Sequence, residues 1–214
     1  MPNELAIVVW RPNTGRRVAA RLPLRSITAP AEGLDCAVIA DPAAPRRTEE
    51  VERALEGTAA GMGPVVGREE AHHSFRRAAA ALALAEERST DGLLRADDHR
   101  LALLLRSDPV LLDEIAGDRL APLEQETALS RARLESTLLA WLRHDGNVSA
   151  TASDLHVHAQ TVRYRLARLR ELFGEALEDS ETRLELELAL RSRHPAPSSQ
   201  LRQAAERSTV SARS

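Results

Sequence analysis

The stretch from Gly146 to Gly174, GNVSATASDLHVHAQTVRYRLARLRELFG, constrains this chain more than any other. Asn147 suits a helix start, because its side-chain oxygen can accept one of the backbone N–H groups left over there. Ala150, Ala152 and Leu155 then give a short helix small and apolar faces, and Ala152 suits a close crossing. His156 and Val157 fall in a turn, and His158 stands at the start of a second helix over 159–173. Val162, Leu166 and Leu169 recur at i, i+4 and i+7, the spacing of one buried stripe. Thr161, Arg163, Tyr164, Arg165 and Arg168 are left on the outer face. Two short helices, a tight turn and a basic outer face make the helix-turn-helix layout, whose second helix enters the DNA major groove.

Charge supports that reading. Residues 131–174 hold seven arginines and four acidic residues, a balance of +3, while the whole chain is −3, so the remainder is −6 by subtraction. Positive charge is concentrated where phosphate neutralisation would need it. The expected DNA contacts are Asn147, Ser149, His158, Gln160, Thr161, Arg163, Tyr164, Arg165 and Arg168. Two rival readings share these residues. One is a solvated amphipathic helix pair; the other is a non-enzymatic interaction or dimerisation module whose basic helix docks an acidic partner. The mixture of base-edge and phosphate donors in Thr161, Arg163 and Tyr164 favours DNA.

Composition sets the outer bounds. A chain of 214 residues has room for one or two domains. With 43% hydrophobic but only 2% aromatic residues, its core must be mostly Leu, Ala and Val. All 29 basic residues are arginine. The lone cysteine, Cys36, excludes an internal disulfide and a Cys-based zinc finger, and its apolar run CAVIA marks it as a core residue. No apolar run approaches the roughly 18 residues of a membrane span. The amino terminus lacks a basic signal-peptide region, so a cytoplasmic protein is expected.

Along the chain, residues 4–10, 17–24, 35–41 and 63–67 read as strands, and 46–60 and 71–89 as helices. That order indicates a small α+β domain over 1–99. An all-helical domain over 100–191 follows, with the helix-turn-helix at 147–173. Asp108-Pro109 opens a helix expected to stop at Gly117, and residues 123–130 form a polar connection compatible with helix. Leu134, Leu138, Trp141 and Leu142 form a stripe ended by Gly146. Asp179 or Ser180 caps a last helix to about Arg191, within which Glu187 can pair with Arg191. The tail, 192–214, has a disordered composition.

The run TLLAWLRHDGNVSATASDLHVHAQTVRYRLARLRELFG, 137–174, resembles the carboxy-terminal helix-turn-helix domain of PucR-type transcriptional regulators, and LEDSETRLELELALR, 177–191, resembles that family's closing helix. The upstream segments VVGREEAHHSFRRAAAALALA and LLLRSDPVLLDEIAGDRLAPL resemble the part that precedes this domain, a degenerate GGDEF-like domain. The family pattern has Pro-Asn-Thr before the reader helix's valine, where this chain has Ala159-Gln160-Thr161. Members commonly carry a further amino-terminal sensory region, which the resemblance implies is missing here or lies before a misplaced start. The resemblance implies a regulator of transcription that acts on double-stranded DNA, with an unassigned effector. A homodimer is expected because one helix-turn-helix contacts too few base pairs to single out a genomic site.

Competing chemistry is weaker. Nucleotide-cyclase activity needs carboxylates on a tight hairpin to hold Mg²⁺. The nearest candidate, Gly33-Leu34-Asp35, reads as a turn, and no P-loop or GxGxxG is present. His72 and His73 point about 100° apart on a helix and should not share an ion. His156 and His158 flank a turn without nearby ligand partners, and Asp97-Asp98-His99 reads as a solvated helix cap. No enzyme activity, metal or cofactor is therefore expected.

Overall fold

Strand β1, Glu4–Trp10, is apolar on both sides and lies inside the sheet of the computed structural model, which describes residues 4–12, 18–24 and 26–193. It pairs antiparallel with β3 (Leu34–Ala40) on one side and with β4 (Ala60–Met62) on the other. Strand β2 (Ile27–Ala31) extends the sheet beyond β3, β5 (Val66–Gly67) pairs with the start of β1, and β6 (Leu93–Arg95) runs parallel to β4. Successive side chains on a strand point to opposite faces. Ala6, Val8 and Trp10 therefore join Ala37, Ile39 and Met62 on one face, covered by Val51 of helix α1 (Arg47–Ala54) and by Leu55. Ile7, Val9 and Cys36 join Ala78 and Leu82 of helix α2 (Ala71–Glu87) on the other.

Helix α2 approaches the sheet closely because two glycines permit it. A Cβ on Gly61 would lie 2.0 Å from the Ala78 carbonyl oxygen, and one on Gly63 would lie 2.0 Å from that of Ser74. Ser74 is fully buried there. Its hydroxyl accepts from the Ile7 N–H and donates to the Pro64 carbonyl, both at 2.9 Å. The turn between β2 and β3 is Glu32-Gly33, both with positive φ (50° and 76°), the signature of a two-residue type I′ hairpin. Gly33 thus serves a turn.

Two strand expectations need correction. Residues 18–24 form a helical turn instead of a strand, with the Arg21 and Leu22 N–H groups on the Val18 carbonyl. Val18 is 2% exposed and fills the core under the sheet, which fixes that turn. The edge position beside β3 goes to Ile27–Ala31, whose Pro30 and exposed side chains hide it from a pattern search. The expected strand at 63–67 is instead the pair β4 and β5, and β6 carries too little pattern to be read. Helix α1 stops at Ala54, short of the expected 60, and Gly57 follows with φ 73°.

The chain divides into two units, Met1–Leu104 and Leu105–Ser214. Helix α3 spans Arg100–Leu105. In the second unit α4 (Pro109–Leu120) opens with the Asp108 carboxylate accepting from the Leu111 N–H. It runs through Gly117 rather than ending there, since an exposed mid-helix glycine costs only about 1 kcal/mol. Helix α5 spans Ala128–Arg143, starting earlier than the apolar stripe because Thr127 caps it. Helices α6 (Val148–Asp154), α7 (Ala159–Phe173) and α8 (Ser180–Arg193) follow. Leu134, Leu138, Leu142, Ala152, Val162, Leu166, Leu169, Leu186 and Leu190 form one core with Ala116, Leu120 and Leu123. Asp179 caps α8 through the Thr182 N–H; the Thr182 hydroxyl first, and that N–H second, hold its carboxyl below the usual range, and Glu187 pairs with Arg191 at 2.6 Å. Ser192 and Arg193 belong to α8, and the rest of the expected tail lies outside the described residues. No helix among the described residues is long and apolar enough to cross a membrane.

Candidate nucleic-acid interface

Three local devices set the angle between α6 and α7. At the start of α6 the Asn147 side-chain oxygen accepts from the Ser149 and Ala150 N–H groups, each at 3.0 Å. At its end His156 adopts a positive φ of 52°, and the Val157 N–H returns to the Ala152 carbonyl. At the start of α7 His158 Nδ1 accepts from the Gln160 N–H at 3.1 Å. An accepting Nδ1 carries no proton, so neutral His158 holds its proton on Nε2, facing outward as a donor. Under the turn, Ala152 and the wholly buried Val162 belong to the shared core.

The outer face of α7 divides along its length. Gln160, Arg163 and Tyr164 are exposed on the first turns, with Tyr164 at 78%. Among the described residues, Arg163 reaches only the Gln160 side chain, at 3.5 Å. Thr161 is half-buried beside them, and Asn147 and Ser149 are exposed at the start of α6. Further along, Arg165 is half-buried and donates to the buried Thr137 hydroxyl at 3.2 Å. Arg168 is gripped by two carboxylates, Glu126 and Glu171, each at 2.8 Å. Glu126 also accepts from the Ser130 hydroxyl at 2.6 Å. That bond and the Arg168 guanidinium hold the Glu126 carboxyl below its usual range, while Glu171 and Glu126 raise the Arg168 pKa.

Glu126 lies in the stretch whose composition marks a polar connection, and its pairing with Arg168 is not legible there. The signal was a capping pattern, Glu126-Thr127 followed by Ser130, which marks a helix start but not a partner 42 residues away. Trp141 is only partly buried and carries the Arg183 guanidinium 5.0 Å from its ring centroid.

Other sequence candidates fall elsewhere. The His72 and His73 rings stand 3.9 Å apart, closer than their helical spacing suggests, because both side chains are exposed and free to turn toward each other. No group of three metal-ligating side chains forms among the described residues. His99 is not a solvated cap. Burial, with Arg88 nearby, pushes its imidazole pKa down, and its Nδ1 has no partner among the described residues. Cys36 is a core residue whose thiol is raised by burial.

Comparison with known proteins adds to this geometry. The model of the PucR C-terminal helix-turn-helix domain matches residues 134–192. An uncharacterized protein in the pkwA 5′ region of Thermomonospora curvata is 36% identical over 54% of this chain and 68% of its own length. The carbohydrate diacid regulator of Escherichia coli is 41% identical over 38% of this chain, and the match spans only 23% of that regulator. The purine catabolism regulatory protein of Bacillus subtilis is 47% identical over 26% of this chain and 10% of its own length. A solved regulator of polyketide synthase expression from Bifidobacterium adolescentis aligns with 91% of this chain and 82% of its own, at 22% identity and a TM-score of 0.38. With the capped helix pair and its core in place over the matched residues, the chain belongs to the PucR-type family of regulators and carries their carboxy-terminal helix-turn-helix domain.

Proposed function

We propose that the chain is a sequence-specific DNA-binding regulator of transcription that reads the major groove with α7. The observation that carries this reading is the division of α7. Val162, Leu166 and Leu169 are buried, while Gln160, Arg163 and Tyr164 stand exposed at its amino-terminal end. That end is where a recognition helix meets base edges. Gln160, Thr161 and Arg163 read bases, and Tyr164 and His158 flank them. Asn147 and Ser149 face the phosphate path, and Arg165 and Arg168 serve the backbone from the far half of the helix. Arg168 must exchange Glu126 and Glu171 for phosphate when it does so.

In this reading the protein works in the cytoplasm, has no catalytic activity, and pairs as a homodimer on an inverted repeat. Half-sites about 34 Å apart would present the same groove face to both copies. The α+β part, a degenerate GGDEF-like domain, serves regulation or dimerisation. The test is selection of duplexes from a random pool, followed by titration of the winner at several salt concentrations. A selected site that binds at least about 10³-fold tighter than random duplex, with affinity falling steeply with salt, supports the reading. Equal binding of all duplexes, or none, overturns it.

A further inference from the structure

Asp108, Thr127, Asn147 and Asp179 close the starts of α4, α5, α6 and α8 with a side-chain oxygen. Helix α7 departs from that pattern. It is closed by His158, whose Nδ1 accepts from the Gln160 N–H at 3.1 Å while its carbonyl accepts from the Thr161 N–H at 2.9 Å. Ser, Thr, Asp and Asn are the favoured residues at a helix start, so capping alone gives no reason for an imidazole here.

What the imidazole adds is a second polar atom. A short capping oxygen is used up at the helix backbone. An imidazole that caps through Nδ1 keeps its proton on Nε2, at the opposite edge of the ring. Among the described residues that N–H has no acceptor, and the side chain is exposed at the same end of α7 as Gln160 and Arg163. His144, at the end of α5, shows the alternative, since its Nε2 lies 3.2 Å from the Asp154 carboxylate. Arg168 likewise has Glu126 and Glu171 to satisfy it. The His158 donor is left for a group from outside the chain.

We propose that His158 positions and anchors at once: its Nδ1 fixes the first turn of α7, and its Nε2–H donates to a DNA phosphate as a neutral group. The proposal rests on the reading of α7 as the recognition helix and adds to it a contact that carries no charge. Arginine contacts to phosphate release counterions from the duplex and so weaken with salt. A neutral N–H releases none, and its contribution stays constant across a salt series. The cap needs an Nδ1 without a proton, so the cap and a positively charged imidazole exclude each other.

The test uses the full chain with the selected duplex and a random one. His158→Ser keeps a capping oxygen and removes the ring, so its urea midpoint should match the wild type. Its affinity should fall about tenfold on both duplexes, with the slope of log affinity against log salt unchanged. A scan of the selected duplex with single methylphosphonates should find a position that weakens the wild type and leaves His158→Ser indifferent. In the free wild type, ¹H–¹⁵N spectra of the imidazole should show the proton on Nε2. Undiminished affinity in His158→Ser overturns the proposal, as does a slope reduced by about one unit or a loss confined to the selected duplex. A free imidazole with its proton on Nδ1 overturns it without recourse to any variant. Those outcomes leave the reading of α7 in place, whereas a wild type that binds no duplex overturns both.

Discussion

The two halves of α7 carry arginines of the same kind under opposite constraints. Arg163, in the first half, is exposed and among the described residues bonds only to Gln160. Arg168, further along the helix, is held by Glu126 and Glu171, and Arg165 between them leans on Thr137. A guanidinium without a carboxylate can meet a base edge at no cost in broken contacts. One that already sits between two carboxylates must exchange them for phosphates, so its gain on binding is the smaller difference between two similar interactions. In the proposed reading, position along the helix therefore separates base reading from phosphate anchoring.

The largest expected effect lies beneath both halves. Leu166 is 2% exposed in a core shared with Leu138, Ala152 and Leu186. Leu166→Ala should cost roughly 2–5 kcal/mol in denaturant unfolding through the cavity it leaves. Duplex binding should be lost with the fold. A variant that unfolds like the wild type yet binds no duplex would place Leu166 on the DNA side and undo the assignment of faces.

Arg163→Ala comes next. It should cost about 1–3 kcal/mol on the selected site and little on random duplex, relaxing the preference at one position. The measurement is competitive titration of both duplexes. Equal losses on the two would make Arg163 a phosphate contact and erase the distinction between the halves.

Why the helix pair was readable from sequence while much of the sheet was not follows from what each element records. In α7 one face is buried and the other wet, so Val162, Leu166 and Leu169 print the helical period directly. Asn147 marks its cap by residue type. Strand β1 was legible as well, because an apolar run buried on both faces needs no phase. Strand β2 is an exposed edge that contains Pro30, and β4 is Ala60-Gly61-Met62, where glycine serves the approach of α2. Such positions are set by a partner distant in sequence and print no period. The same applies to Glu126: local signals announce a helix start, but only the packed structure brings it to Arg168, 42 residues away.

Arg168 gives a smaller effect. Arg168→Ala should weaken binding to every duplex alike and reduce the slope of log affinity against log salt by about one unit. Glu126→Gln should act in the opposite direction, strengthening specific and random duplex equally by removing one competitor for the guanidinium. Anisotropy titrations across a salt series measure both. An unchanged slope in Arg168→Ala would take that residue out of the interface and leave the Glu126 contact as purely internal.

The smallest effect is on stability against pH. Glu126 has its carboxyl held below the usual value, first by the Ser130 hydroxyl and then by Arg168. A depressed carboxyl pKa means that folding is favoured while the group is ionised. The contribution is complete above the ordinary glutamate value of 4.5 and is lost as pH falls through the lowered one. Asp179 and Glu86 are shifted the same way, so the stability curve of the wild type sums all three. The quantity to measure is the difference in urea midpoint between wild type and Glu126→Gln at each pH. It should be constant from neutral pH to about 5 and shrink below that, because the wild type approaches the neutral variant as Glu126 takes up its proton. A difference that stays flat to pH 3 would mean that the carboxylate's charge adds nothing to the grip on Arg168. Of the two carboxylates, Glu171 would then be the one whose charge holds Arg168.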